Sequence, residues 1–206
     1  MSGIIAQNTL DNSGLIKSPA GGGAWNFIKK LTASGDADLS FVDGTDDVVL
    51  DDTYKEYVFT FVNIHPETDG VDLSFNMSID GGSNYNVTKT SSDFQAYHNQ
   101  NDSVATLTYS AARDLAESTS DQKLSNAIGN DNDEVTVGYL HLFNPSSTTF
   151  VKHFFSTTNI SNNSDYSVHN FAAGYGNTTS AVDAIIFRMH IGNIDAGDIC
   201  LYGITT

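Results

Sequence analysis

Cysteine is nearly missing from this chain: Cys200 is alone, so no internal disulfide staples the fold, and stability falls to packing and to any partner subunits. Basic residues are also scarce. Nine Lys and Arg against 25 Asp and Glu leave a net charge of −16, and a surface of that sign repels nucleic-acid phosphate. Nucleic acid is therefore excluded as a partner. No stretch approaches the roughly 20 apolar residues of a membrane span, and the N-terminus lacks the charged-then-apolar pattern of an export signal, so no membrane insertion is expected. Glutamate supplies only four of the 25 acids, whereas Ser, Thr and Asn together supply 61 residues. These are turn and cap formers, and helix interiors prefer Glu, Ala and Lys. What is present is a body of 206 residues, 39% apolar, with 12 Phe, 9 Tyr and one Trp. That is enough for one packed core and too aromatic for a disordered acidic tail.

Residues 1–24 read as an extended arm. Ile4, Ile5, Leu10, Leu15 and Ile16 precede the flexible run Pro19–Ala24, and a purely solvated tail has no need of such side chains. They are expected to lie on a neighbouring subunit or on another protein. Residues 25–206 read as a single β-sandwich domain. Tyr54–Ile64 is dense in β-branched and aromatic residues on both faces, as suits a central strand. Leu73, Phe75, Met77 and Ile79 alternate with Asp72, Ser74, Asn76 and Ser78, which predicts one face on the core and one in water. Asp80–Ser83 is a hairpin signal, with Tyr85–Thr88 as the returning strand. Thr90–Asn132 reads as loop, with a short helix over Tyr109–Glu117. A second hairpin joins Val135–Phe143 to Thr149–Phe155; then, after a polar loop, Ala184–Ile191 and Asp198–Ile204 supply the last strands. About eight strands without alternating helices make an all-β fold, an antiparallel β-sandwich of jelly-roll type with an extended N-terminal arm.

Chemistry-bearing motifs are few. No nucleophile elbow, His-Glu-x-x-His or phosphate loop occurs, and nothing in the spacing of Glu56, Glu67, Glu117 and Glu134 singles out a glycosidase pair. No catalytic residue, metal site or cofactor is assigned. Asp43, Asp46, Asp47, Asp51 and Asp52 form one acidic cluster and Asp131, Asp133 and Glu134 another. Neither follows the ligand spacing of a calcium-binding hand, so both read as solvated loops. His141 and His153 would face each other across the second hairpin if its loop had three residues, but two imidazoles do not complete a zinc shell. Cys200 reads as a small space-filling core residue. Tyr97, Tyr109, Tyr166 and Tyr175 fall outside the clear strands and are the candidates for stacking on sugar rings.

Several segments, in this order and spacing, carry a family likeness. They are Thr53–Tyr57, Pro66–Leu73 leading into Ser78–Tyr85, Leu142–Ser146, and the ending Ala184–Met189 with Gly192–Ile204. Over roughly residues 25–204 the chain resembles structural proteins from the virions of tailed bacteriophages, above all those of marine and cyanobacterial phages. The resemblance implies a non-enzymatic, oligomeric β-protein on a tail fibre, baseplate or capsid surface, assembled in the host cytoplasm. The expected partners are copies of itself, as a homotrimer, and other phage virion proteins reached through the arm. The alternative is a receptor-recognition module that contacts host surface polysaccharide.

Overall fold

Period-two alternation runs through nearly the whole body, and the computed structural model, which describes residues 24–205, contains strands and no helix among those residues. The strands are β1 (Trp25–Asp36), β2 (Leu39–Val42), β3 (Glu56–Pro66), β4 (Leu73–Ser78), β5 (Lys89–Asn99), β6 (Ala105–Tyr109), β7 (Gln122–Lys123), β8 (Thr136–Phe143), β9 (Lys152–Asn162), β10 (Tyr166–Gly176), β11 (Ala184–Met189) and β12 (Ile194–Ile204). They form an antiparallel sheet of eight strands, ordered β1-β12-β3-β8-β9-β10-β5-β6, and one of four, ordered β2-β11-β4-β7. The all-β antiparallel sandwich read from composition and alternation is the observed architecture. The arm residues Ile4, Ile5, Leu10, Leu15 and Ile16 lie outside the described residues.

Inward side chains of the two sheets interlock in one core. Phe187 on β11 is its hub, with ring centroids 5.2 Å from Phe59 and 5.4 Å from Phe61 on β3. Phe75 on β4 meets Phe154 on β9 edge-to-face at 4.9 Å. β3 is central, as its composition predicts: Tyr57, Val58 and Phe59 are all fully buried.

The structure corrects five sequence readings. Glycines 81 and 82 do take the positive φ angles of a tight turn, but Tyr85–Thr88 is not a strand. The chain there makes a single bond back to β4, from Val87 N–H to Met77 O at 3.3 Å, and then crosses to the large sheet as β5. The region read as loop with a short helix instead supplies β5, β6 and β7, and the polar stretch before Ala184 supplies β10. Asn, Ser and Thr had signalled loop in both places, yet β5 and β10 pair along their full length, so the ladder overrides a weak local preference. The polar side of β4 is not wet: Asp72, Ser74, Asn76 and Ser78 are all buried. Cys200 faces outward on β12 and is half-buried, and the core does not contain it.

Candidate functional site

The outer face of the large sheet is the most unusual surface of the molecule. Register places its outward side chains in rows that cross the strands. One row runs Phe27, Tyr202, Val58, His141, Phe155, Ala173 and Ser92, and the next runs Lys30, Cys200, Thr60, Tyr139, Thr157, Phe171, Phe94 and Tyr109. Within them His141 stacks on Phe155 at 4.5 Å and Phe94 on Phe171 at 4.7 Å. Trp25 and Phe27 flank Tyr202 at 5.4 and 5.7 Å. Phe94, Tyr139, Phe155 and Phe171 line a groove of about 330 Å³. Leu107 stands 72% exposed on the edge strand β6, and Trp25, Phe27 and Tyr109 are also exposed.

Charge avoids this face. The outward strand positions of β8, β9, β10, β5 and β6 include no carboxylate and no ammonium, in a chain with 25 acids. Toward the β1 edge the acids are Glu56, bonded to His141 Nδ1, Asp195, 3.3 Å from His65 Nδ1, and Asp198, bonded to Lys30 Nζ at 3.2 Å. Four of the six histidines, His98, His141, His153 and His169, also point outward here. His141 and His153 do not face each other. The connection spans residues 144–151, so His141 lies opposite Phe155, and His153 neighbours Tyr175 at 5.9 Å.

The four sugar-contact candidates divide between two surfaces, and all four lie in strands. Tyr109 and Tyr175 belong to the outer face just described, with the Tyr109 hydroxyl donating to Asp114 at 2.5 Å. Tyr97 on β5 and Tyr166 on β10 come together edge-on at 5.7 Å on the other side of the sheet. With Gln95, Asn126, Asn162, Asn163 and Ser164 they line a cleft of about 380 Å³ whose walls hold no charged side chain. A second cleft of similar size shares Ser164 and Tyr166 and continues past Asn99 and Asn101.

A third feature is a polar interior between β4, β5 and the segment 110–126. Asp72 accepts from Arg113 Nη2 at 3.3 Å, Lys123 Nζ at 2.8 Å and the Ala127 N–H at 2.8 Å. Those two cations, Arg113 foremost, together with the Ala127 bond hold its carboxyl below the usual carboxylate range against the opposing effect of burial. Asp121 is held by Arg188 through bonds of 2.6 and 2.9 Å. Lys89, fully buried, donates to Asn76 Oδ1 at 2.5 Å and Val87 O at 2.8 Å, and burial pushes its ammonium down to about 8. Asp93, also fully buried, accepts only from Asn170 Nδ2, at 2.8 Å, and burial pushes its carboxyl up to about 6. Sequence reading missed this interior because each of its charges looks, in isolation, like a solvated one.

The acidic clusters are tied down locally. Asp43 accepts the Leu50 N–H, and Asp51 the Thr53 N–H, both at 2.8 Å. Among the described residues no three His, Cys, Asp or Glu side chains converge as metal ligands. Set against protein-family models, curated proteins and solved structures, the chain matches none.

Proposed function

We propose that this chain is a non-enzymatic structural subunit of a tailed-phage virion that assembles with copies of itself through the outer face of its large sheet. The observation that carries the reading is the aromatic, carboxylate-poor character of that face on a body of net charge −16. Eight strands about 4.8 Å apart span roughly 34 Å, and about 20 Å of strand length gives about 700 Å² per copy. A standard interface buries about 800 Å² on each partner. Burial of the apolar half of the face on two copies is worth on the order of 15 kcal/mol before the cost of association. Screened repulsion between two such bodies with centres about 30 Å apart is on the order of 1 kcal/mol at physiological salt. Apolar burial wins, and the few acids of the face keep to its β1 side, off the outward positions of β8, β9, β10, β5 and β6.

The fold fits that role as a jelly roll, an arrangement common in capsid proteins. Without β5–β6 and β9–β10, which widen the large sheet at one edge, the strand orders become β1-β12-β3-β8 and β2-β11-β4-β7. The chain then passes between the sheets at each of the turns β1–β2, β2–β3, β3–β4, β7–β8 and β11–β12. A homotrimer mounted through residues 1–24 on other virion proteins is the assembly this reading entails, in keeping with the phage-like segments of the sequence.

Light scattering on the eluting protein tests the assembly. The chain is expected to run as an oligomer, and Phe94→Glu, which puts a charge on an exposed ring position without touching the core, to run as a monomer with unchanged circular dichroism. A monomeric parent chain at tens of micromolar sinks the proposal. Stoichiometric recovery of the chain in purified particles tests its place in the virion.

The Tyr97–Tyr166 cleft supports a second reading, recognition of host surface polysaccharide by stacking and amide hydrogen bonds. Its uncharged walls favour a neutral sugar. Binding to a neutral-glycan array should fall at least tenfold on Tyr166→Ala and stay unchanged on Tyr175→Ala, which lies on the other face. Equal loss from both variants, or no binding by the parent chain, removes this reading.

A further inference from the structure

We propose that the folded chain joins Lys89 to Asn76 through an intramolecular isopeptide bond, with Asp121 as the group that transfers the proton. The three side chains lie in the polar interior between β4 and β5, and both reacting residues are inaccessible to water, Lys89 at 0% and Asn76 at 1% exposure. Lys89 Nζ sits 2.5 Å from Asn76 Oδ1. The same oxygen accepts the Met77 N–H at 2.9 Å, so a backbone donor already faces the atom on which negative charge develops when the carbonyl is attacked. On the opposite side of the amide, Asn76 Nδ2 donates to Asp121 Oδ1 at 2.9 Å and to Thr119 O at 3.0 Å. Arg188 fixes the Asp121 carboxylate in that position.

This set differs from an ordinary buried lysine. Lys89 donates to two neutral oxygens and has no ion-pair partner among the described residues. An ammonium buried without a paired anion is held at a cost, and acylation removes that charge altogether. Burial that pushes the group down to about 8 leaves roughly one lysine in ten as the free amine at pH 7, which is the nucleophilic form. Two groups fixed at contact distance in a dry site react with an effective concentration of about 10⁵ M or more, and no water competes for the amide carbon.

The step balances without an oxidant or cofactor. The lone pair of neutral Lys89 Nζ attacks Asn76 Cγ, and the carbonyl electrons move onto Oδ1 beside the Met77 N–H. The Asp121 carboxylate takes a proton from the attacking nitrogen and delivers it to Nδ2. The carbonyl re-forms, the Cγ–Nδ2 bond breaks and ammonia leaves. The product is a secondary amide between Nζ and Cγ that ties β4 of the small sheet to β5 of the large one. A chain with one cysteine thereby gains a covalent staple that needs no oxidising compartment. The inference is independent of how copies assemble.

Mass spectrometry of the purified, folded chain decides it. The intact protein is expected to be lighter than its sequence mass by one molecule of ammonia, and Lys89→Met to show the full mass of its own sequence. Trypsin cuts an unlinked chain after Lys55, Lys89 and Arg113, releasing 56–89 and 90–113. The linked chain is expected to resist cutting at Lys89 and to yield 56–113 as one looped peptide, short by ammonia. Full sequence mass in the parent chain overturns the proposal. So does loss of ammonia with cleavage at Lys89 intact, which marks a succinimide at Asn76, and so does an equal loss from Lys89→Met.

Discussion

Replacing Asp72 with Asn is expected to destabilise the protein by about 3–5 kcal/mol at pH 7, the usual cost of breaking a buried pair from one side. Asp72 is 3% exposed and receives Arg113, Lys123 and the Ala127 N–H, while its own N–H donates to His190 Nδ1 at 2.8 Å. The substitution keeps the shape, removes the anion and leaves a mostly buried guanidinium without its counter-charge. At roughly 2–4 °C per kcal/mol for a domain of this size, the melting temperature should drop by about 10 °C. The dependence on pH follows from the lowered carboxyl. Its contribution is complete above the unfolded value of 3.8 and disappears as pH falls through the still lower folded value, so parent and variant should converge only in strong acid. A melting curve for the variant within 2 °C of the parent at pH 7 would show that Arg113 and Lys123 find other partners.

Asp93→Asn is expected to act in the opposite direction. Burial pushes the carboxyl of Asp93 up to about 6 from 3.8, and no basic side chain hydrogen-bonds to it. The folded state therefore holds the proton more tightly than the unfolded one. The stabilising effect of that proton is complete below pH 4 and is lost as pH rises through 6. At pH 7.5 the ionised group costs on the order of 3 kcal/mol relative to a neutral isostere. Asp93 Oδ1 and Asn170 Oδ1 are also both buried without a donor. An amide at position 93 supplies the missing donor while its oxygen still accepts from Asn170 Nδ2. The variant should melt several degrees higher than the parent at pH 7.5 and show little or no advantage at pH 4. An equal advantage at both values would refute ionisation as the cause.

The aromatic outer face and the tyrosine cleft were legible in the sequence only in part. Tyr97, Tyr109, Tyr166 and Tyr175 stand out as tyrosines in polar surroundings, but their spacing does not reveal which share a surface. Tyr97 pairs with Val168 and therefore points inward, whereas Tyr109 pairs with Phe94 and points out. The aromatic rows had no sequence signature at all. Phe27, Tyr202, His141 and Phe155 come from strands scattered along the chain, and only the antiparallel registers align them. The face also hides its scarcity of acid: a net charge of −16 describes the whole surface and says nothing of where the acids are few.

For β3, β4 and β11, strand character and the inward side were determined by the sequence alone, because a two-residue period of apolar side chains is a local property that Phe59, Phe61, Phe75 and Phe187 carry wherever they end up. What covers the other side was decided by the tertiary structure. Asn76 lies dry because the segment 110–126 folds over β4 and brings the Thr119 carbonyl and the Asp121 carboxylate to meet it, and Ser74 because its hydroxyl donates to Arg188 O on β11. Lys89 reaches Asn76 because it opens β5 just where the chain crosses from the small sheet to the large one. A polar side chain is written the same way in sequence whether water or another part of the chain satisfies it, and only long-range pairing distinguishes the two.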